Sequence, residues 1–388
     1  MRLRHADGQT VHVAYCTNVH PGEDVETIVG QLDRFALPVR QQLGADVLGL
    51  GLWLSAPVAR TLAGDPAAID RLRNELDARG LEVVTLNGFP YRGFQDEVVK
   101  HRVYHPDWTE PSRLAYTVDL TEVLARLLPD DAARGSISTL PLAWRHPWGG
   151  DRQALAAEQF DRLADHLHAL RERTGRQIRV GVEPEPGCVI ETTTELVDRM
   201  AGWDEDVLGV CLDLCHLAVG FDTASAALER LDEAGLAVVK AQPAAALVVD
   251  DPADEGVRSA LAAYAEDRFL HQVRQESGGR LTGRDDLPDA LVGPRRLRTG
   301  RPWRVHFHVP VHADPAPPLR SSRDELRASL TALVGGPRAR VQHLEVETYT
   351  WSVLPGGGPA DDDAFAAALA AELAWVRTEL VALGLTAL

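Results

Sequence analysis

Cysteine is scarce in this chain: Cys16, Cys188, Cys211 and Cys215 are the only four among 388 residues. So few thiols cannot form a disulfide framework, and they fit a reducing compartment. Long apolar runs are missing too. None approaches the length of a membrane span, Met1–Asp7 contains no signal-peptide core, and the C-terminal end carries no lipidation box. The expectation is a cytoplasmic protein that is not membrane-inserted. Positive charge is also short, with 40 Lys and Arg against 57 Asp and Glu and a net charge of −17. Such a surface repels phosphate backbones, and Pro294–Arg298 is too short a basic stretch to compensate, so nucleic acid is not expected as a partner. Finally, no Gly-rich phosphate turn follows an early strand, which argues against an open dinucleotide-binding sheet.

What is present is an alternation of short β-branched runs with longer amphipathic helices. Strands are expected at Val11–Cys16, Val47–Leu54, Leu81–Leu86, Ser136–Leu142, Ile178–Glu183, Val207–Asp213 and Ala237–Gln242. Two more are expected at Arg304–Val309 and Val341–Glu347. Helical patterns lie between them, at Asp24–Leu43, Ala67–Ala78, Pro111–Leu128, Arg152–Arg173 and Asp361–Leu383. Strictly alternating units imply a parallel sheet. Polar and ionisable residues gather at the ends of many of these strands, and a closed (β/α)₈ barrel would bring those ends to one mouth. The expectation is therefore a single TIM-barrel domain over residues 1–388. Nine strands exceed the eight required. Residues 243–301, with one helix near Gly256–Gln275, read as an insertion after strand seven, and Arg304–Val309 as its return strand. The alternative makes Arg304–Val309 a barrel strand and demotes an earlier run.

Four stretches carry candidate chemistry. Gly181-Val-Glu183-Pro-Glu185-Pro-Gly187 ends a hydrophobic strand with two carboxylates on one parity. Cys211-Leu-Asp213-Leu-Cys-His216 places an acid in an apolar strand, where it is costly unless paired or coordinated, with an imidazole three residues on. A plain helix cap is the competing reading of Asp213. Trp303–His312 sets His306, His308 and His312 on one face, and His343–Trp351 does the same for Glu345 and Glu347. Glu183, Asp213, His308 and Glu347 form an oxygen-rich set with one imidazole, suited to one divalent ion such as Mn²⁺, Mg²⁺, Fe²⁺ or Zn²⁺. Glu185, His216, His306 and Glu345 are supporting or alternate ligands. Glu183 and Glu347 are also the candidate acid–base pair. Asn18, His20, Trp53, Asn87, Lys240 and Gln242 are candidate substrate contacts.

The ordered series Glu183, Asp213 with His216, His308 and Glu347 resembles the xylose-isomerase-like TIM barrels, which include sugar phosphate isomerases and epimerases and the endonuclease IV type. That resemblance implies that these positions hold the metal and that the two glutamates exchange the proton. Longer strings are similar to the EboE-type metabolite traffic proteins of Ebo gene clusters. They include Tyr15–Glu23, Thr85–Tyr91, Val103–Trp108, Ser138–Leu142, Glu183–Cys188, Cys211–His216 and Glu345–Trp351. This second resemblance implies a link to biosynthesis or export of a secondary metabolite and functional association with other Ebo cluster proteins. Lys240 or Gln242 stands where endonuclease IV relatives offer a strand-seven histidine, and Asn87 where strand three offers another, which speaks against a trinuclear zinc site.

The reading that results is a metal-dependent isomerase or epimerase of a sugar, sugar phosphate or cyclitol. Two alternatives remain open on the same barrel: an endonuclease IV-like metal hydrolase, and a non-catalytic metabolite carrier or assembly protein.

Overall fold

A computed structural model describes residues 1–388. Eight parallel strands close into a barrel: β1 (Thr10–Cys16), β2 (Leu48–Trp53), β3 (Leu81–Asn87), β4 (Arg134–Thr139), β5 (Gln177–Val182), β6 (Leu208–Asp213), β7 (Val238–Gln242) and β8 (His343–Val346). Closure is made by β8 pairing in parallel with β1, His343 beside His12 and Val346 beside Tyr15. Leu48–Trp53 and Leu81–Asn87 are buried at every position, as strands covered on both faces must be. Helices wrap the outside. The first runs from Val25 to Leu43 with a π-turn at Leu32–Ala36; Asp24 caps it, accepting from the Thr27 amide at 2.7 Å, and Gly44 ends it at φ 59°. Arg2–Arg4 pairs antiparallel with β1 and with Thr386–Ala387, tying both chain ends together. No helix is long and apolar enough to cross a membrane.

The ninth strand belongs to a different sheet. Between β7 and β8 the chain builds five antiparallel strands in the order Arg280–Arg284, Val273–Ser277, Trp303–Val309, Ala245–Val249 and Arg320–Ser321. Trp303–Val309 is thus a return strand and not a barrel stave. Two details differ from expectation. The excursion continues past residue 301 as far as Ser321, and the helix expected near Gly256–Gln275 spans only Glu255–Ala262. Val273–Ser277 is extended instead and turns at Gly278-Gly279 (φ 60° and 79°) into Arg280–Arg284. That turn needs two left-handed residues in succession, which glycine adopts without strain.

Candidate metal and proton-transfer site

The strand ends of the barrel and the central strand of the second sheet, Trp303–Val309, line one cavity, with about 510 Å³ of empty space including its mouth. Its polar lining is Asn18, Asn87, Lys100, Tyr104, Glu183, Glu185, His216, His306, His308 and Glu347; Phe89, Phe94, Phe269 and Tyr349 are among its other walls.

Glu183 follows directly on β5, its amide donating to the Thr139 carbonyl at 3.0 Å. Its Oε2 is buried and has no hydrogen-bond partner. Asp213 ends β6 and divides its two oxygens. Oδ1 accepts from the His216 amide at 2.9 Å and caps the short helix Leu214–Val219, while Oδ2 is buried and unpartnered. The capping reading therefore holds for Oδ1, and Oδ2 is left without a partner. His308, on the return strand, places Nδ1 2.8 Å from the Glu347 carbonyl. A carbonyl can only accept, so Nδ1 carries the hydrogen and Nε2 keeps its lone pair; Nε2 too is buried without a partner.

Glu347 lies just past β8 and is held by three amides. Asn18 and Asn87 donate to Oε1 at 2.7 and 3.0 Å, and Gln242 donates to Oε2. Glu183, Asp213 and Glu347 each offer an oxygen within 4.8 Å of the others, and Asp213, His216 and His308 form a second such group. Three buried carboxylates at one point repel one another. Burial, then Glu347 and Asp213, push the Glu183 carboxyl well above its ordinary range; burial, Asp213 and Glu345 push Glu347 up to about 8. The unpartnered atoms Glu183 Oε2, Asp213 Oδ2 and His308 Nε2 leave room for a cation, and the donors suit a hard or borderline divalent ion. A buried charge cluster of this kind is costly unless it is coordinated.

The other candidate residues divide by depth. Lys240, one of only two lysines in the chain, is fully buried inside the barrel. Its Nζ donates to Glu345 Oε1 at 2.9 Å, Ser138 Oγ at 3.1 Å and the Leu86 carbonyl at 3.2 Å. A Cβ on Gly51 of β2 would overlap the Glu345 carboxylate, so glycine there makes the pocket that Glu345 fills. Lys240 and Glu345 thus form a layer beneath the cavity and do not line it. Trp53 is buried behind the wall, its indole N–H donating to the Pro90 carbonyl at 2.8 Å. His20 lies outside the cavity, stacked on Phe35 at 4.3 Å with its Nε2 3.2 Å from the Tyr15 hydroxyl. Glu185 accepts from Tyr104 at 2.7 Å, and His306 places Nδ1 2.6 Å from Gln272 Oε1.

Sequence reasoning left out Tyr349, Tyr104 and Gln272. Tyr349 had a signal, since it continues the parity of Glu345 and Glu347; its ring packs against His308 at a tilt of 50°, centroids 4.7 Å apart. Gln272 had none, because it sits in the stretch that reads as helix. Cys215 lies within 4.8 Å of His306 and His308, but burial holds its thiol well above the usual range, so it stays a poor ligand.

Several solved structures share the fold. D-allulose 3-epimerase from Methylomonas sp. superposes with a TM-score of 0.51 at 12% identity, covering 98% of this chain and 100% of the other. D-psicose 3-epimerase from Clostridium cellulolyticum H10 gives 0.50 at 14%, covering 95% and 99%. L-ribulose 3-epimerase gives 0.50 at 12%, covering 96% and 95%. No curated protein matches the sequence. The family description "Xylose isomerase-like TIM barrel" matches residues 40–266, more than half of the chain. With the closed eight-strand barrel, this match places the chain in the xylose isomerase-like TIM barrel family.

Proposed function

We propose that the protein is a divalent-metal-dependent isomerase or epimerase of a sugar, sugar phosphate or cyclitol. The observation that carries this reading is that two buried groups, Glu183–Asp213–Glu347 and Asp213–His216–His308, meet at Asp213, with Glu183 Oε2, Asp213 Oδ2 and His308 Nε2 all unpartnered. Glu183, Asp213, His308 and Glu347 would hold the ion. When bound, it would polarise a substrate carbonyl and lower the cost of negative charge on that oxygen. Glu183 and Glu347 come from β5 and β8 and supply two carboxylates that exchange a proton with carbon from different directions. They differ in freedom: Glu347 is fixed by Asn18, Asn87 and Gln242, whereas Glu183 Oε2 is free to take up a proton. The structural neighbours include 3-epimerases of allulose, psicose and ribulose, which supports a ketose or ketose-like polyol as substrate. The sequence strings similar to EboE-type proteins support a secondary metabolite as the compound handled and other Ebo cluster proteins as associates.

The test is solvent exchange. The Mn²⁺-loaded protein is incubated in D₂O with ketohexoses, their phosphates and inosose-type cyclitols. Deuterium should enter at the carbon next to the carbonyl, and chelation, Glu183→Gln or Glu347→Gln should stop it. Exchange that survives chelation, or no exchange with any compound of the set, would overturn the reading. Phosphodiester cleavage instead would favour the hydrolase, and tight binding without exchange the carrier.

A further inference from the structure

The cavity over the proposed ligands has two unlike halves. The ligand half is formed by the barrel strand ends and Trp303–Val309, and its side chains bond to one another. The other half comes from loops. Phe89, Phe94, Val99 and Val103 belong to the excursion between β3 and the helix Pro111–Leu127, Phe269 to the insertion, and Tyr349 to the segment after β8. Three of these side chains form a ring cluster: Phe94 lies 5.3 Å from Phe269 and 5.6 Å from Tyr349, and Phe269 lies 4.8 Å from Tyr349, centroid to centroid. Phe94, Val99 and Phe269 are buried with Trp53 in a group separate from the main core, so they do not hold the barrel to its helices. Apolar side chains gathered on loops at a strand-end mouth are placed as a ligand wall.

This half offers a substrate few polar partners. The Tyr104 hydroxyl is taken by Glu185, to which it donates at 2.7 Å. Lys100 is the one Lys or Arg that lines the cavity, and its Nζ is 2.6 Å from Asp286 Oδ2 and 3.2 Å from the Glu266 carbonyl. A phosphoryl group needs guanidinium, ammonium or converging amide donors. Here it would meet phenyl rings on one side and the Glu183, Glu185 and Glu347 carboxylates on the other. A bare ketose is a poor match as well, because its far hydroxyls would lose water against Phe94 and Phe269 and gain no partner. The wall is also fixed in place. The Val99 and Lys100 amides both donate to the Arg268 carbonyl at 2.8 Å, while Lys100 takes a left-handed backbone, φ 41°. That stitching joins the two loops that carry Phe94 and Phe269.

We propose that the substrate is amphiphilic: a neutral ketose or cyclitol ketone whose far end carries an aromatic or alkyl group, lodged among Phe94, Phe269 and Tyr349. These three rings then set specificity. The proposal rests on the isomerase or epimerase reading and narrows it, since it excludes sugar phosphates. Burial supplies the affinity, about fourfold for each methylene taken out of water, and an aromatic substituent adds ring contacts of its own. Tyr349 joins the two halves, its ring 4.7 Å from that of His308, so the junction between polyol and substituent lies beside it.

The experiment measures affinity, which needs no turnover. Full-length protein loaded with Mn²⁺ is titrated calorimetrically with D-fructose, D-fructose 6-phosphate, and the 1-O-benzyl and 6-O-benzyl ethers of D-fructose. At least one ether should bind about tenfold or more tighter than the parent sugar, and the phosphate more weakly than the sugar. Phe94→Ser and Phe269→Ser, shown to be folded by circular dichroism, should each lower the ether-to-sugar ratio by about fivefold or more. The wild-type ratio decides the matter even where a variant fails to fold. Equal binding of ethers and sugar, tighter binding of the phosphate, or no binding of any compound would overturn the amphiphilic substrate. A ratio that both folded variants leave unchanged would overturn it too. Deuterium uptake from D₂O reads the reaction separately. Uptake into fructose with no preference for the ethers overturns this proposal and leaves the reaction standing. Tight ether binding with no uptake into any compound overturns the reaction and leaves the preference of the apolar wall.

Discussion

His308 Nε2 lies 3.9 Å from Asp213 Oδ2, and neither atom has a hydrogen-bond partner. The gap is too long for a hydrogen bond and suits two ligands of one ion. Asp213 comes from the barrel and His308 from the inserted sheet, so the sheet contributes a donor to the strand-end site. His308→Ala should weaken divalent-ion binding by about tenfold or more while the barrel stays folded. Isothermal titration with Mn²⁺ reads this; unchanged affinity would remove His308 from the ligand set.

Lys240 and Glu345 form a fully buried ion pair. Lys240→Met strands the Glu345 carboxylate among apolar neighbours and should cost about 3–5 kcal/mol in urea unfolding. The double variant Lys240→Met with Glu345→Gln should recover much of that loss, because no unpaired charge is left. A single-variant cost under about 1 kcal/mol would show that the pair is not what supports the barrel interior.

The two glycines Gly51 and Gly30 predict opposite signs. Alanine at Gly51 forces its Cβ into the Glu345 carboxylate and should destabilise by about 1–3 kcal/mol. Alanine at Gly30 meets nothing within 4 Å on the helix Val25–Gln31 and should stabilise by about 0.5–1 kcal/mol. Chemical denaturation of both variants checks the pair of signs.

Glu372, which is not among the proposed ligands, gives a pH dependence of its own. Buried on the helix Asp362–Ala382, its Oε1 accepts from the Val311 amide at 3.1 Å and Thr348 Oγ1 at 2.7 Å. Burial raises its carboxyl from 4.5 to about 7. A raised folded-state value means that its contribution is full below the unfolded value and is lost as pH rises through the folded one. The loss across pH 4.5 to 7 should be on the order of 3 kcal/mol. Glu372→Gln keeps an acceptor oxygen and should flatten this slope, matching wild type near pH 4 and exceeding it at pH 8. Parallel melting curves at the two pH values decide it.

Much of this architecture is legible in the sequence because its signals are local. Buried runs such as Leu81–Asn87 identify parallel staves, and an acid at the end of an apolar run, as at Asp213, marks the mouth. The inserted sheet is less legible because its pairings are long-range. Ala245–Val249 follows β7 after only Pro243-Ala244 and pairs with Trp303–Val309 far along the chain, and Val273–Ser277 becomes a strand only by pairing with Trp303–Val309 and Arg280–Arg284. Depth is hidden for a related reason. Parity puts Glu345 and Glu347 on one face, but only barrel closure shows that one meets Lys240 below the cavity and the other the three amides at its floor.

The central claim is a cation held by Asp213 and its neighbours, and the most direct measurement is the divalent-metal content of purified wild type beside Asp213→Ala, by elemental analysis after loading with Mn²⁺ or Zn²⁺. The account predicts that wild type retains bound metal and that the variant, still folded, is short by about one ion per chain. Equal metal in the two proteins, or none in wild type, would contradict it.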